Sequence, residues 1–158
     1  MLNITQNELE VVTSNNHRGI IFLLVNDKRV TIRDSFASLN KNIERHFRSR
    51  FDAWRDGINK HEWYHGWDSS EFGGKYIRCF VFKCKEKHSH HRLYGFLCNP
   101  DILNRRFLVC ILVNHAKKNK HQTDVTFLDD IEEIRTVFIN DSNLRVVCES
   151  INIFLGRN

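Results

Sequence analysis

Proline is nearly absent, with Pro100 alone in 158 residues, and glycine appears only seven times. That scarcity excludes collagen-like, proline-rich and low-complexity architectures, which need these residues in quantity. Long apolar runs are also missing. The longest, Phe107 to Val113, is far too short to span a bilayer, so no membrane partner is expected. The opening MLNITQNELEVV has acidic and amide residues where a secretory signal needs an apolar core. No P-loop, dinucleotide-binding glycine pattern or nucleophile elbow occurs, which removes the commonest nucleotide-binding and acyl-transfer classes. The five cysteines, Cys79, Cys84, Cys98, Cys110 and Cys148, are odd in number and mostly embedded in apolar runs such as LVCIL. They read as small buried hydrophobes in a reducing compartment rather than a disulfide framework, so the expected location is cytoplasmic.

What is present suits one folded domain. Hydrophobic residues make up 41%, with 12 Phe and 3 Trp as bulky core material. Lys plus Arg outnumber Asp plus Glu by 24 to 19, a net charge of +5 that favours phosphates or an acidic protein surface.

Along the chain, residues 1–18 are amide-rich and read as a loose arm. Gly19 to Val25 is a short apolar strand closed by Asn26-Asp27, and Arg29 to Arg33 alternates as a second short strand would. Phe36, Leu39, Ile43, Phe47, Phe51, Trp54 and Ile58 recur at steps of three and four. That spacing predicts one long helix over 35–57, its other faces covered by Lys41, Arg45, Arg48, Arg50 and Arg55. Residues 59–72 read as a loop or short helix whose Trp63 and Trp67 cap the core, with His61 and His65 beside them.

Three strands follow: Lys75 to Cys84, His91 to Cys98 and Arg105 to Asn114, with short connectors that make an antiparallel meander. The basic loop HAKKNKHQTD comes next. Phe127, Leu128, Ile131, Ile134 and Phe138 then predict a helix, and Leu144 to Leu155 alternates partly as a terminal strand would. The expected fold is therefore α+β. A single domain holds an antiparallel meander packed against a long N-terminal helix and a C-terminal helix, with 19–72, 73–138 and a C-terminal extension 139–158 as its segments.

Metal chemistry finds little support. His88, His90 and His91 lie near Cys79 and Cys84, but the spacing fits no common ligand pattern, and the two cysteines have opposite strand parity. The acidic pairs Asp129-Asp130 and Glu132-Glu133 read as a solvated helix face. No metal and no cofactor are expected.

A basic set does converge. Lys83 and Lys85 share a face at the end of the first meander strand, and Arg92 and Tyr94 share one at the start of the next. His115, Lys117, Lys118, Lys120 and His121 follow the third strand, which runs parallel to the first and so ends at the same edge. The expectation is one positive pocket.

Here HRLYGF, a turn, RRFLVCILVNHAKKNK and an amphipathic helix resemble the C-terminal half of RelE/HigB-type toxins of bacterial toxin–antitoxin modules, closest to the phage-derived HigB-like branch. The resemblance covers about residues 73–138. The chain is longer than most such toxins, and one helix stands where the family has a helical hairpin. No tyrosine occupies the last helix, where Phe127 stands instead.

The resemblance implies an mRNA-cleaving endoribonuclease acting in the cytoplasm, often on the ribosome, with a cognate antitoxin protein as partner. Arg92 matches the strand arginine, Lys83 and Lys85 the strand lysines, and Lys117 and Lys118 the basic pair after the central strand.

Such cleavage by the RNA's own 2′-hydroxyl needs a base, cations on the phosphate and an acid for the leaving oxygen. The expected catalytic residues are Arg92, His115, Lys117 and Lys118. Lys83, Lys85, Tyr94, Lys120 and His121 are the expected RNA contacts, with His121 a second candidate proton carrier and Tyr94 or Phe96 stacking on a base. A non-catalytic nucleic-acid-binding module and a protein-interaction domain with a basic surface remain open readings of the same residues.

Overall fold

The computed structural model describes residues 2–25, 31–102, 105–118 and 125–157. In chain order the strands are β1 (Leu9–Ser14), β2 (Arg18–Leu23), β3 (Tyr64–Gly66), β4 (Cys79–Glu86), β5 (Ser89–Cys98), β6 (Asp101–Ile102), β7 (Arg105–Arg106) and β8 (Leu108–Lys118). The helices are α1 (Ile32–Ala37), α2 (Lys41–Arg55), α3 (Val125–Phe138) and α4 (Asp141–Phe154).

β1, β2, β8, β5, β4 and β3 form one sheet in that order, and β6 and β7 form a small separate ribbon. Among the described residues only the β2–β8 pairing is parallel. The result is a single α+β domain with a mixed sheet and helices on both sides.

Both faces of the sheet are apolar because strand residues alternate sides and each side meets a helix pair. Ile20, Phe22, Phe80, Phe82, Leu93 and Leu112 pack under Phe36, Ile43, Phe47, Phe51 and Trp54 of α1 and α2. Ile21, Val81, Phe96, Val109 and Ile111 pack under Leu128, Ile131, Phe138, Val147 and Ile151 of α3 and α4. Of the third predicted strand, Arg105 to Asn114, the first two residues fall in the separate ribbon as β7, and Val109 to Val113 of β8 are buried on both sides for this reason.

The strand register slips between Tyr94 and Gly95, where β5 crosses β8 closely. A Cβ at Gly95 would lie 2.0 Å from the Ile111 carbonyl oxygen, so only glycine fits this approach.

Several expectations are corrected. The predicted 35–57 helix is two helices. Asn40 caps α2 by accepting from the Ile43 amide at 3.0 Å, and this local bond outcompetes continuous helix at Ser38–Asn40. The apolar stripe survives the break except at its end, where Ile58 is exposed.

The N-terminal arm is not loose: β1 pairs with β2, and Asn143 accepts from the Ile4 amide at 3.0 Å while donating to the Leu2 carbonyl at 2.7 Å. The expected terminal strand is helix α4, because Asn143, Val147 and Ile151 bury one face at helical spacing under an Asn140 cap. Arg29 and Val30 lie outside the described residues, and Ile32 and Arg33 belong to α1 rather than to a short strand. The 59–72 loop contains the edge strand β3, and Lys75 to Arg78 precede β4 rather than opening it.

All five cysteines are free, and none of the described helices is long and apolar enough to cross a membrane.

Candidate functional site

The β4–β5 hairpin turns tightly at Lys87, which takes a positive φ of 46°. Across it Lys83 faces Arg92 and Lys85 faces His90. Pairing residues share a side of the sheet, so these four side chains stand together on the α3/α4 side. β3 adds His65 opposite Val81, hence beside Lys83 on that same side. The ring of His61 stacks on His65 at 4.8 Å, and the edge of Trp67 meets His65 at 5.0 Å.

His61, His65, Lys83, Lys85, His90 and Arg92 line an open cleft of about 420 Å³ at the sheet edge, which Cys84 and His91 join from the other side of the sheet. Glu62 is its acidic member, and Arg50 reaches in from α2, with its guanidinium 5.0 Å from the Trp63 ring. Trp67 is buried as expected, whereas Trp63 is only partly covered.

Electrostatics differ within the cleft. Burial, and then the neighbouring Arg92 guanidinium, hold the Lys83 ammonium below its ordinary pKa, with Glu62 opposing. Burial also takes the His65 imidazole down to about 4, helped by Lys83, His61 and Arg92. His65 is therefore neutral at pH 7. Its Nδ1 lies 2.9 Å from the Gly66 carbonyl, which can only accept, so Nδ1 carries the hydrogen and Nε2 keeps a lone pair. The arrangement offers two cations for an anion and one unprotonated imidazole as a proton acceptor.

The expected pocket is only partly assembled. Lys83, Lys85 and Arg92 come together. Lys118 pairs with His90 and shares their side of the sheet, its ammonium 5.3 Å from the Phe127 ring centroid. His115 and Lys117 do not join them. The segment expected as a loop from residue 115 is the end of β8, and its alternation turns both side chains to the α1/α2 side, opposite Leu93 and His91.

There His115 Nε2 meets His91 Nδ1 at 3.0 Å, and His91 Nε2 meets Glu86 Oε2 at 2.9 Å. Asn40 Nδ2 donates to the other Glu86 oxygen at 2.7 Å. Burial, with His91 and Lys117 nearby, lowers His115 to about 4. This chain ties the hairpin to the start of α2. Its His91 also lines the cleft, whereas His115 does not.

Tyr94 and Phe96 are each 0% exposed, and Tyr94 stacks on Phe127 at 5.4 Å, so neither can receive a base. Lys120 and His121 lie outside the described residues.

His61, His65 and Arg50 are the site residues that sequence reasoning left aside. The alternation in Trp63-Tyr64-His65-Gly66-Trp67 was the available signal, with Tyr64 buried inward and His65 turned the other way. Nothing in the local pattern says that this short strand joins β4. Among the described residues no group of histidine, cysteine and acidic side chains could hold a metal ion. No family model, curated protein or solved structure matches the chain.

Proposed function

We propose that the protein binds RNA at the Lys83–Arg92 cleft and cleaves it by attack of the 2′-hydroxyl on the adjoining phosphate, without a metal. The observation that carries the reading is the in-register pair Lys83 and Arg92 beside the neutral His65 ring. Arg92 and Lys83 hold the phosphate oxygens and offset charge as the crowded phosphorus forms. His65 Nε2 takes the proton from the 2′-hydroxyl. The negative phosphate between Lys83, Arg92 and His65 raises the imidazole's proton affinity toward neutrality, countering the burial that lowers it. The 2′-oxygen bonds to phosphorus, the bond to the 5′-oxygen breaks, and His61, the more exposed of the stacked pair, gives that oxygen its proton. The products are a 2′,3′-cyclic phosphate and a free 5′-hydroxyl.

The finer reading is a RelE/HigB-type toxin, with a ribosome-bound mRNA as substrate and a cognate antitoxin as partner. What supports it is the division of residues 32–55 into α1 and α2, which supplies the helix pair that the resemblance expects, and the meander of β4, β5 and β8.

The test is to incubate the purified chain with single-stranded RNA and with DNA of the same sequence in excess chelator. Cleavage of RNA alone, leaving cyclic phosphate ends and lost in Lys83→Ala, is expected. Salt-sensitive RNA binding with no product would leave a non-catalytic binding module. Absence of both would sink the proposal.

A further inference from the structure

The cleft does not end at its histidines. A second cleft of about 340 Å³ begins at the same His61 and His65 and runs to Arg18 at the start of β2. Arg18 is a fixed cation. Its Nη1 donates to the Trp54 carbonyl at 2.8 Å, and its guanidinium lies 4.9 Å from the Trp54 ring centroid. One N–H is committed there, and the remaining donors of the planar fork can serve a ligand oxygen. The groove thus has a cationic pole at each end, Lys83–Arg92 and Arg18, with two stacked imidazole rings where the clefts meet. Exposed Ile58 adds apolar surface on the Arg18 side.

Cations separated by flat aromatic rings match the alternation of a nucleic-acid strand, in which phosphates are separated by bases. Resting on the RNA reading above, we infer that the groove takes an unpaired strand, with a base laid over the outer face of His61 in the His61–His65 stack and the flanking phosphates at the two cationic poles. A duplex buries its base faces inside the helix and cannot fill the middle of this groove without unpairing. A single-phosphate ligand would use only one pole.

The experiment measures binding of the full chain to three non-cleavable or minimal probes. These are a single-stranded 2′-O-methyl oligoribonucleotide, the blunt duplex of that oligonucleotide, and uridine 3′-monophosphate. The single strand is expected to bind more tightly than the duplex by about 5- to 150-fold, the range of one base stack. Arg18→Gln is expected to weaken the single strand about tenfold and to lower its salt slope by about 0.7, the loss of one phosphate contact. Uridine 3′-monophosphate should change by less than about twofold in that variant.

Because Arg18 also holds the Trp54 carbonyl, melting of the variant is compared with the parent. Asn59→Asp, which places an anion at the same end without touching that contact, provides the second variant and should weaken the single strand likewise. Equal affinity for strand and duplex, or single-strand affinity unchanged in both variants, overturns the inference while leaving the Lys83–Arg92 site intact. If none of the three probes binds the parent chain, the RNA reading fails and takes this inference with it.

Discussion

The two sides of the sheet at its β4–β5–β8 end carry nearly the same residue types, yet they are electrostatically different. On the α3/α4 side, Lys83 and Arg92 stand together, and the cations near them in the cleft outnumber the one carboxylate, Glu62. On the α1/α2 side, His91 and His115 are joined to Glu86 and Asn40 in one hydrogen-bonded chain. The lesson is that the same residue types take different roles according to the neighbours that strand alternation gives them. An imidazole that already has a carboxylate and a second imidazole as partners is a structural link.

The largest effect should come from breaking the register that separates the two sides. Gly95→Ala forces a Cβ into the Ile111 carbonyl, and backbone on both strands must move. A loss of about 3–5 kcal/mol is expected in denaturant unfolding, the range reserved for backbone and packing failures. A loss below about 1 kcal/mol would show that the slip is not fixed by this contact.

Next, the sides are compared directly. Lys83→Ala should lower RNA cleavage by about 100-fold or more, as removal of a transition-state contact does. Lys117→Ala should change it less than about threefold, since its side chain lies on the other side of the sheet. Equal losses would mean the strand alternation does not decide function.

Acid sharpens the comparison through His65 and His115. Each has a folded pKa of about 4 against an ordinary value of 6.5. Between those values the unfolded chain binds more protons than the folded one, so stability should fall as the pH drops from 6.5 toward about 4. Replacing His115 with Gln, which removes one of the two titrations, should flatten that slope in melting curves. An unchanged slope would place the proton uptake elsewhere.

The smallest effect is expected at Asn40→Ala, which removes the α2 cap and the donor to Glu86. It should cost about 1 kcal/mol of stability and leave RNA cleavage within twofold.

Much of the fold could be read along the chain because its signals are local. The helical stripe from Phe36 to Trp54, the strand pair facing across Lys87 and the helix from Phe127 to Phe138 each express a period that nearby residues define. The misreadings occurred where a local pattern was ambiguous. Val146 and Cys148 mimic alternation, while Val147 and Ile151 carry the helical face that packs. Leu9 to Ser14 has strand-forming residues between polar neighbours, and its partner β2 and the anchoring Asn143 are distant information.

The candidate site divides the same way. Lys83, Lys85 and Arg92 could be placed together from hairpin pairing alone. His61 and His65 could not, because nothing near them records that β3 joins the β4 edge.

By itself the sequence determined the composition of this domain: a basic α+β chain, rich in Phe, with its cations concentrated at one end of a hairpin. Tertiary structure decided which of those cations share a side. A strand presents its residues alternately to two faces, so extending β8 through Lys118 sent His115 and Lys117 away from Arg92, and an edge pairing with β3 brought two histidines in their place. Those choices depend on contacts between residues far apart in the chain, where periodicity carries no information.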